Sequence, residues 1–193
     1  MRRAVVIVLV AIATGLGLVG APASGAPPTS TTQARSAHWC HRTLPDYPIL
    51  HPGDRRRAVR TLQCALRDTG YGPLVVDGWY GPSTRRAVRR VEAGFEGPAP
   101  QAGRINNGFW VLLYGRQLPD RDLRLGDSGR AVRNLQRALR AAGAEIVVDG
   151  DFGPQTRRVV RRYQDQQNFR RTGVVDERTR FILAMGGVFG HLN

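Results

Sequence analysis

The sequence predicts an all-α fold, with two tandem three-helix modules following a cleaved signal peptide. Three observations carry this. First, the chain states one segment twice. Ala58-Val-Arg-Thr-Leu-Gln-Cys-Ala-Leu-Arg-Asp-Thr-Gly70 returns as Ala131-Val-Arg-Asn-Leu-Gln-Arg-Ala-Leu-Arg-Ala-Ala-Gly143, with nine of 13 positions identical. Val75-Val-Asp-Gly-Trp-Tyr-Gly-Pro-Ser-Thr-Arg-Arg86 returns as Val147-Val-Asp-Gly-Asp-Phe-Gly-Pro-Gln-Thr-Arg-Arg158, with nine of 12 identical. The offset of 73 and then 72 residues is that of a duplicated small domain, since solenoid units repeat at about 20–50 residues. Second, apolar residues within each copy recur at helical spacing. Third, the amino terminus has the layout of an export signal.

That signal occupies residues 1–25. Met1-Arg2-Arg3 is a charged start, Ala4 to Gly20 is apolar and uncharged, and Ala21-Pro22-Ala23 and Ala23-Ser24-Gly25 are small-residue cleavage sites. The apolar run is shorter than the about 20 residues a spanning helix requires, so no stable membrane anchor is expected after processing. Residues 26–37 are rich in Pro, Ser and Thr and read as a disordered linker. The modules are expected at 38–116 and 120–187.

Helix one of the first module presents Val59, Leu62 and Leu66. Helix two starts at Pro82, whose missing N–H suits a first turn, and buries Ala87, Val88 and Val91. Helix three contains Asn106, Trp110, Leu112 and Leu113. The second module follows the same plan. Asp127 or Ser128 is expected to cap a helix with Ala131, Val132, Leu135, Ala138 and Leu139 on one face. Gly143 ends it, Pro154 opens helix two with Val159, Val160 and Tyr163, and Asp176 caps a helix containing Phe181, Ile182 and Leu183. The Arg pairs 85/86, 89/90, 157/158 and 161/162 fall between apolar positions and read as a solvated face. Domains of about 65 residues bury only about 60% of their unfolded surface, so contact between modules or a covalent staple is expected.

The formal net charge is +14, all of its basic residues being Arg. Such a surface attracts polyanions over a long range and is screened by salt. Few aromatic residues are interleaved with the Arg runs, which argues against single-stranded nucleic acid. For an exported protein, Cys40 and Cys64 are expected to form a disulfide. Arg137 stands at the counterpart of Cys64, so Cys64 is expected at a solvent-facing edge. A metal site from His38, Cys40, His41 and His51 has no recognisable ligand spacing, and neither a metal nor a cofactor is expected.

The residues of the second module carry a resemblance. Leu123-Arg-Leu-Gly-Asp-Ser-Gly-Arg-Ala-Val-Arg-Asn-Leu-Gln-Arg-Ala-Leu139, then Val148-Asp-Gly-Asp-Phe-Gly-Pro-Gln-Thr156, then Gly173-Val-Val-Asp176, resemble the peptidoglycan-binding-like domain of bacterial wall proteins. The first module is similar through Gly53-Asp54, Val59, Leu62-Gln63, Leu66 and Asp77-Gly-Trp-Tyr-Gly-Pro-Ser-Thr84. It departs where Val91-Glu92 replaces the usual Phe-Gln, and at the insert Glu96-Gly-Pro-Ala-Pro-Gln-Ala-Gly103. The second departs at Arg180, where the family often has Trp and the first module has Trp110. The resemblance implies a three-helix fold that binds cell-wall glycan or stem peptide.

Such domains usually target an attached hydrolase, but the residues flanking the two modules are too few for a catalytic domain. Asp77 and Asp149 could act as acids, yet each lies beside Gly in a sharp turn where Asp commonly binds backbone N–H groups. No catalytic residue is expected. Tyr80 and Phe152 read as core plugs, and the freely varying position before them, Trp79 or Asp151, as outward-facing. The expected ligand-binding residues are Asp77, Trp79, Thr84 and Arg85 in the first module and Asp149, Asp151, Thr156 and Arg157 in the second, the second binding on its own. The expectation is a secreted, wall-associated, non-catalytic protein whose partners are peptidoglycan and anionic wall polymers, not nucleic acid. The alternative is a secreted interaction or inhibitor protein using the same fold for a protein partner.

Overall fold

The computed structural model describes residues 40–94 and 103–190. The signal segment, the linker, most of the insert after Gly94 and the tail from His191 lie outside the described residues. Among the described residues six helices follow in order: α1 Arg57–Asp68, α2 Pro82–Glu92, α3 Asn107–Gly115, α4 Arg130–Ala141, α5 Pro154–Gln166 and α6 Glu177–Ala184. Among the described residues there are only isolated β-bridges and no strands. No helix there is long and apolar enough to cross a membrane.

The helix ends follow from local chemistry. Pro82 and Pro154 occupy the first turns of α2 and α5. Asn106 and Asp176 cap α3 and α6, their side-chain oxygens accepting the Phe109 and Thr179 N–H at 2.9 Å each. The cap expected from Asp127 or Ser128 does not form. The residue before α4 is Gly129, at φ 101°, and the Asp127 carboxylate instead accepts the Arg124 N–H at 2.8 Å. Asp54 does the same for His51 at 3.0 Å. Both carboxylates close the turn ahead of the helix rather than the helix itself.

A shorter repeat lies within the longer one. Arg57-Ala-Val-Arg-Thr-Leu-Gln63 in α1 corresponds to Arg86-Ala-Val-Arg-Arg-Val-Glu92 in α2, Arg130-Ala-Val-Arg-Asn-Leu-Gln136 in α4 and Arg158-Val-Val-Arg-Arg-Tyr-Gln164 in α5. In every copy the third residue, a Val, is buried, and so is the residue before the Gln or Glu. Each module is thus a helix, a variant of that helix and a short third helix. The chain entering each module is tied to the loop before the third helix. Leu50 and Ile105 exchange two backbone hydrogen bonds at 3.0 and 2.9 Å, and Leu123 and Val175 exchange two at 3.2 and 2.8 Å.

The two halves share one continuous hydrophobic core. Helix α3 packs against both α4 and α6 of the second half. Residues 40–48 lie along the same seam. Arg137 Nε donates to Thr43 Oγ1 at 3.0 Å, and Arg140 Nη1 to the Leu44 carbonyl at 3.3 Å. The Tyr114 hydroxyl donates to the Arg42 carbonyl at 2.7 Å. Trp110 is fully buried and donates its indole N–H to the Pro48 carbonyl at 3.0 Å.

The Cys40–Cys64 disulfide is present, but the expected exposed edge is not. Cys64 is 0% exposed, because residues 40–48 are folded down over α1. Arg137 at the equivalent place is half-buried in the seam between the halves, where desolvation pulls its pKa down. A long Arg stem fills an interface as readily as it reaches solvent, so an Arg there does not mark an open surface. Phe181 is a second correction: it is 61% exposed, and Leu183 alone of the three expected apolar residues is fully buried. Arg180 replaces the tryptophan of the first half with ion pairs to Asp120 and Asp122, at 3.3 and 3.2 Å, which tie α6 to the connection between the halves.

Candidate functional site

The helix–loop–helix junctions are held by a buried glutamine. At the α1–α2 junction, Gln63 Oε1 accepts the Gly78 N–H at 2.9 Å. Its Nε2 donates to Asp77 Oδ1 at 2.7 Å, the Trp79 carbonyl at 3.0 Å and Thr84 Oγ1 at 3.0 Å. The α4–α5 junction repeats this. Gln136 accepts the Gly150 N–H at 2.8 Å and donates to Asp149, the Asp151 carbonyl and Thr156 at 2.6, 3.1 and 3.2 Å. A carboxamide suits the place because it offers an acceptor and two donors side by side, and buried polar groups are costly unless satisfied.

These bonds place the expected site residues in three groups. Thr84 and Thr156 are buried and bridge loop to helix, so they shape the site from beneath. Asp77 and Asp149 each also accept the N–H two residues on, at 2.8 Å. The Asp149 carboxyl is held below the usual carboxylate range, first by the Asp151 N–H and then by Gln136. Both aspartates are loop-closing groups whose outer faces remain open to solvent. Trp79, Asp151 and Arg85 are exposed and Arg157 half-exposed, while Tyr80 and Phe152 are buried beneath them.

The halves differ at the surface. A cleft of about 480 Å³ opens at the α1–α2 junction, lined by His41, Arg55, Arg56, Arg57, Arg60, Thr61, Asp77, Gly78 and Trp79. The Trp79 ring, 37% exposed, carries the Arg55 guanidinium 4.6 Å from its centroid, a cation–π pairing. Opposite it the Arg60 stem lies under Gly78, where a Cβ would be 3.0 Å from Arg60 Nε. Arg55, Arg57 and Arg60 have no acidic side chain within ion-pair distance among the described residues, whereas Arg56 is held by Asp54 at 2.9 Å. In the second half Ser128, Gly129 and Asp151 stand where Arg55, Arg56 and Trp79 stand in the first, leaving Arg130 and Arg133. That half has no aromatic platform and two fewer cations.

Reasoning from the sequence singled out the loop but missed Arg55, Arg57, Arg60 and His41. The signal was available in the run Arg55-Arg-Arg57, which precedes a helix that points its next arginine at the Val-Asp-Gly loop. Among the described residues no cluster of three or more His, Cys, Asp or Glu side chains could hold a metal ion.

No curated protein matches the sequence. Among solved structures, a fused Zn-dependent amidase/peptidase/peptidoglycan-binding domain-containing protein from Clostridium acetobutylicum ATCC 824 is similar at 32% identity over 37% of this chain, with a TM-score of 0.35, and the match covers 32% of that protein. Residues 55–99 and 128–183 match the family model described as "Putative peptidoglycan binding domain". With both halves of the chain built on the glutamine-held junction and matched in turn, the chain belongs to this peptidoglycan-binding family in two tandem copies.

Proposed function

We propose that the chain is an exported, non-catalytic peptidoglycan-binding protein that grips the wall at the α1–α2 junction. The observation that carries this reading is the placement of the Trp79 ring beside Arg55, Arg57 and Arg60 in one cleft. Peptidoglycan offers a complement to each of the two groups. Sugar rings present C–H faces that stack on a flat aromatic surface, and stem peptides present carboxylates that Arg binds through paired N–H donors. Asp77 lines the cleft and Thr84 supports it from below, whereas Arg85 is not among the residues that line it. Asp149, Asp151 and Thr156 form the weaker counterpart in the second half, whereas the Arg157 stem lies against Gly173 of the α5–α6 junction, its Cγ 2.9 Å from where a Cβ would stand.

A binding role is supported by the state of the aspartates, whose inner oxygens hold the loop instead of facing a reacting group. Export is supported by the charged start, apolar run and small-residue site of residues 1–25, and by the disulfide. The test is incubation of the chain from residue 26 onward with purified sacculi. Retention on the sacculi, with no soluble glycan or peptide released above the blank, is the expected result. Failure to sediment with sacculi contradicts the binding reading, and release of fragments contradicts the non-catalytic one.

A further inference from the structure

The α5–α6 junction is a third copy of the glutamine-held arrangement, and its surface holds a second group of arginines. Gln164 Oε1 accepts the Gly173 N–H at 2.9 Å. Its Nε2 donates to Thr172 Oγ1 at 3.0 Å, the Val174 carbonyl at 2.8 Å and Thr179 Oγ1 at 3.1 Å. Atom for atom this is the Gln63 network, with Thr172, Gly173, Val174 and Thr179 in the places of Asp77, Gly78, Trp79 and Thr84. Arg161 lies under Gly173 as Arg60 lies under Gly78, its Nε 3.0 Å from where a Cβ would stand. Arg158 takes the place of Arg57.

Two replacements distinguish the loop of this junction, which adjoins the hollow without lining it. Thr172 puts a neutral hydroxyl where the other two junctions have a loop carboxylate, so one negative charge is gone. Val174 puts an aliphatic side chain where the first junction has its indole, so no stacking surface is offered. A hollow of about 500 Å³ is lined by Arg158, Arg161, Arg162, Asp165 and Arg171. Its one acid, Asp165, is paired with Arg171 at 3.2 Å. Arg162 lies 5.4 Å from the Phe189 ring centroid. Arg158 and Arg161 have no acidic side chain in ion-pair range among the described residues.

We propose that this hollow is a second, separate binding site, selective for multiply charged oxyanions such as a phosphate group or clustered carboxylates, with Arg158, Arg161 and Arg171 as its donors. Four guanidinium groups against one carboxylate give a focused positive field. The planar donor forks of Arg match phosphate and carboxylate oxygens.

The test is titration of the isotope-labelled chain from residue 26 onward with inorganic pyrophosphate, and in a second arm with citrate, followed by backbone amide resonances. Saturable shifts confined to residues 158–173 are expected, and the tighter of the two anions identifies which oxyanion the hollow prefers. Replacing Arg158→Gln together with Arg161→Gln should weaken that binding at least about tenfold. Arg57→Gln with Arg60→Gln at the other junction should change it less than about twofold. Arg86→Gln with Arg89→Gln, both exposed on α2 of the first half, controls for net charge. Equal weakening by the control pair, or shifts spread over all exposed arginines, overturns the site. Because Arg161 packs on Gly173, Arg158→Glu alone provides a second variant at an exposed position. Unchanged pyrophosphate affinity in that variant also overturns the site.

Discussion

Gly115 of α3 meets the backbone of Leu183 in α6 so closely that a Cβ on Gly115 would lie 2.4 Å from the Leu183 carbonyl carbon. The two halves touch there main chain to main chain. Gly108, one side of the same seam, would put a Cβ 3.0 Å from the Gly186 carbonyl oxygen. Backbone cannot swing aside as a side-chain end can, so the interface admits only glycine at position 115.

The first prediction follows. Gly115→Ala should destabilise the protein by about 1–3 kcal/mol, the cost of overpacking, although Gly to Ala in an unobstructed helix gains up to about 1 kcal/mol. Thermal unfolding measures the sign. An unchanged or raised midpoint contradicts the packed seam.

The second prediction concerns the carboxamide. Gln63→Glu removes the donors to Asp77, Trp79 and Thr84 and faces a carboxylate with Asp77 Oδ1. The expected loss is about 1–3 kcal/mol, the cost of unsatisfied buried groups, and Gln136→Glu should behave alike. Glu92 occupies the same repeat position in α2, but it accepts the Gly103 N–H at 2.7 Å, and Phe109 stands where the other junctions have Thr. Glu92→Gln should therefore be near neutral, within about 0.5 kcal/mol. Chemical denaturation of the three variants distinguishes the positions, and equal effects at all three contradict the assignment.

Helical spacing made most of the core legible: Val59, Leu62, Leu66, Val88 and Val91, their second-half partners, and the prolines opening α2 and α5. It could not show that Phe181 faces water, because a short helix lying on a seam is apolar on more than one side. The third junction escaped notice because Gln63 and Thr84 are 21 residues apart, Gln136 and Thr156 are 20, and Gln164 and Thr179 only 15. The repeat is visible as Arg-x-x-Arg-x-x-Gln/Glu once those loops are allowed to differ in length. At the candidate site the sequence marked the loop and the outward position of Trp79. The arginines of α1 carried no signal of their own, since which guanidinium groups share a cleft depends on how α1 lies against its loop.

The third prediction concerns the disulfide. Cys40→Ser with Cys64→Ser opens a loop of sequence separation 24, worth roughly 3 kcal/mol in the chain-entropy model. Because Thr43 and Leu44 bind Arg137 and Arg140, the loss should reach the second half as well. Native-state hydrogen exchange should show faster opening of α4, not of α1 alone. Protection of α4 unchanged in the variant contradicts the coupling.

The fourth prediction concerns Gly81, where a Cβ would lie 2.6 Å from the Trp79 ring. Gly81→Ala should displace that ring and shift the Trp79 indole N–H resonance. Gly153, at the equivalent place, has nothing within 4 Å of a Cβ, so Gly153→Ala should leave its neighbours where they are. An unmoved indole resonance in Gly81→Ala contradicts the stacking.

The central claim is that the wall is gripped through Trp79 and the arginines of α1 rather than through the matching loop of the second half. The direct measurement is sacculus affinity of the chain from residue 26 onward at low and high salt, compared with Trp79→Ala, Arg57→Gln/Arg60→Gln, Asp151→Ala and Arg130→Gln/Arg133→Gln. Whole-chain variants are required because α3 packs on α4 and α6, so neither half keeps its surface when separated. The account predicts that the first two variants weaken binding about tenfold or more, the arginine pair chiefly at low salt where its charge is least screened, and that the last two change it less than about threefold. Undiminished binding by Trp79→Ala and Arg57→Gln/Arg60→Gln, with loss in the second-half variants, would contradict it.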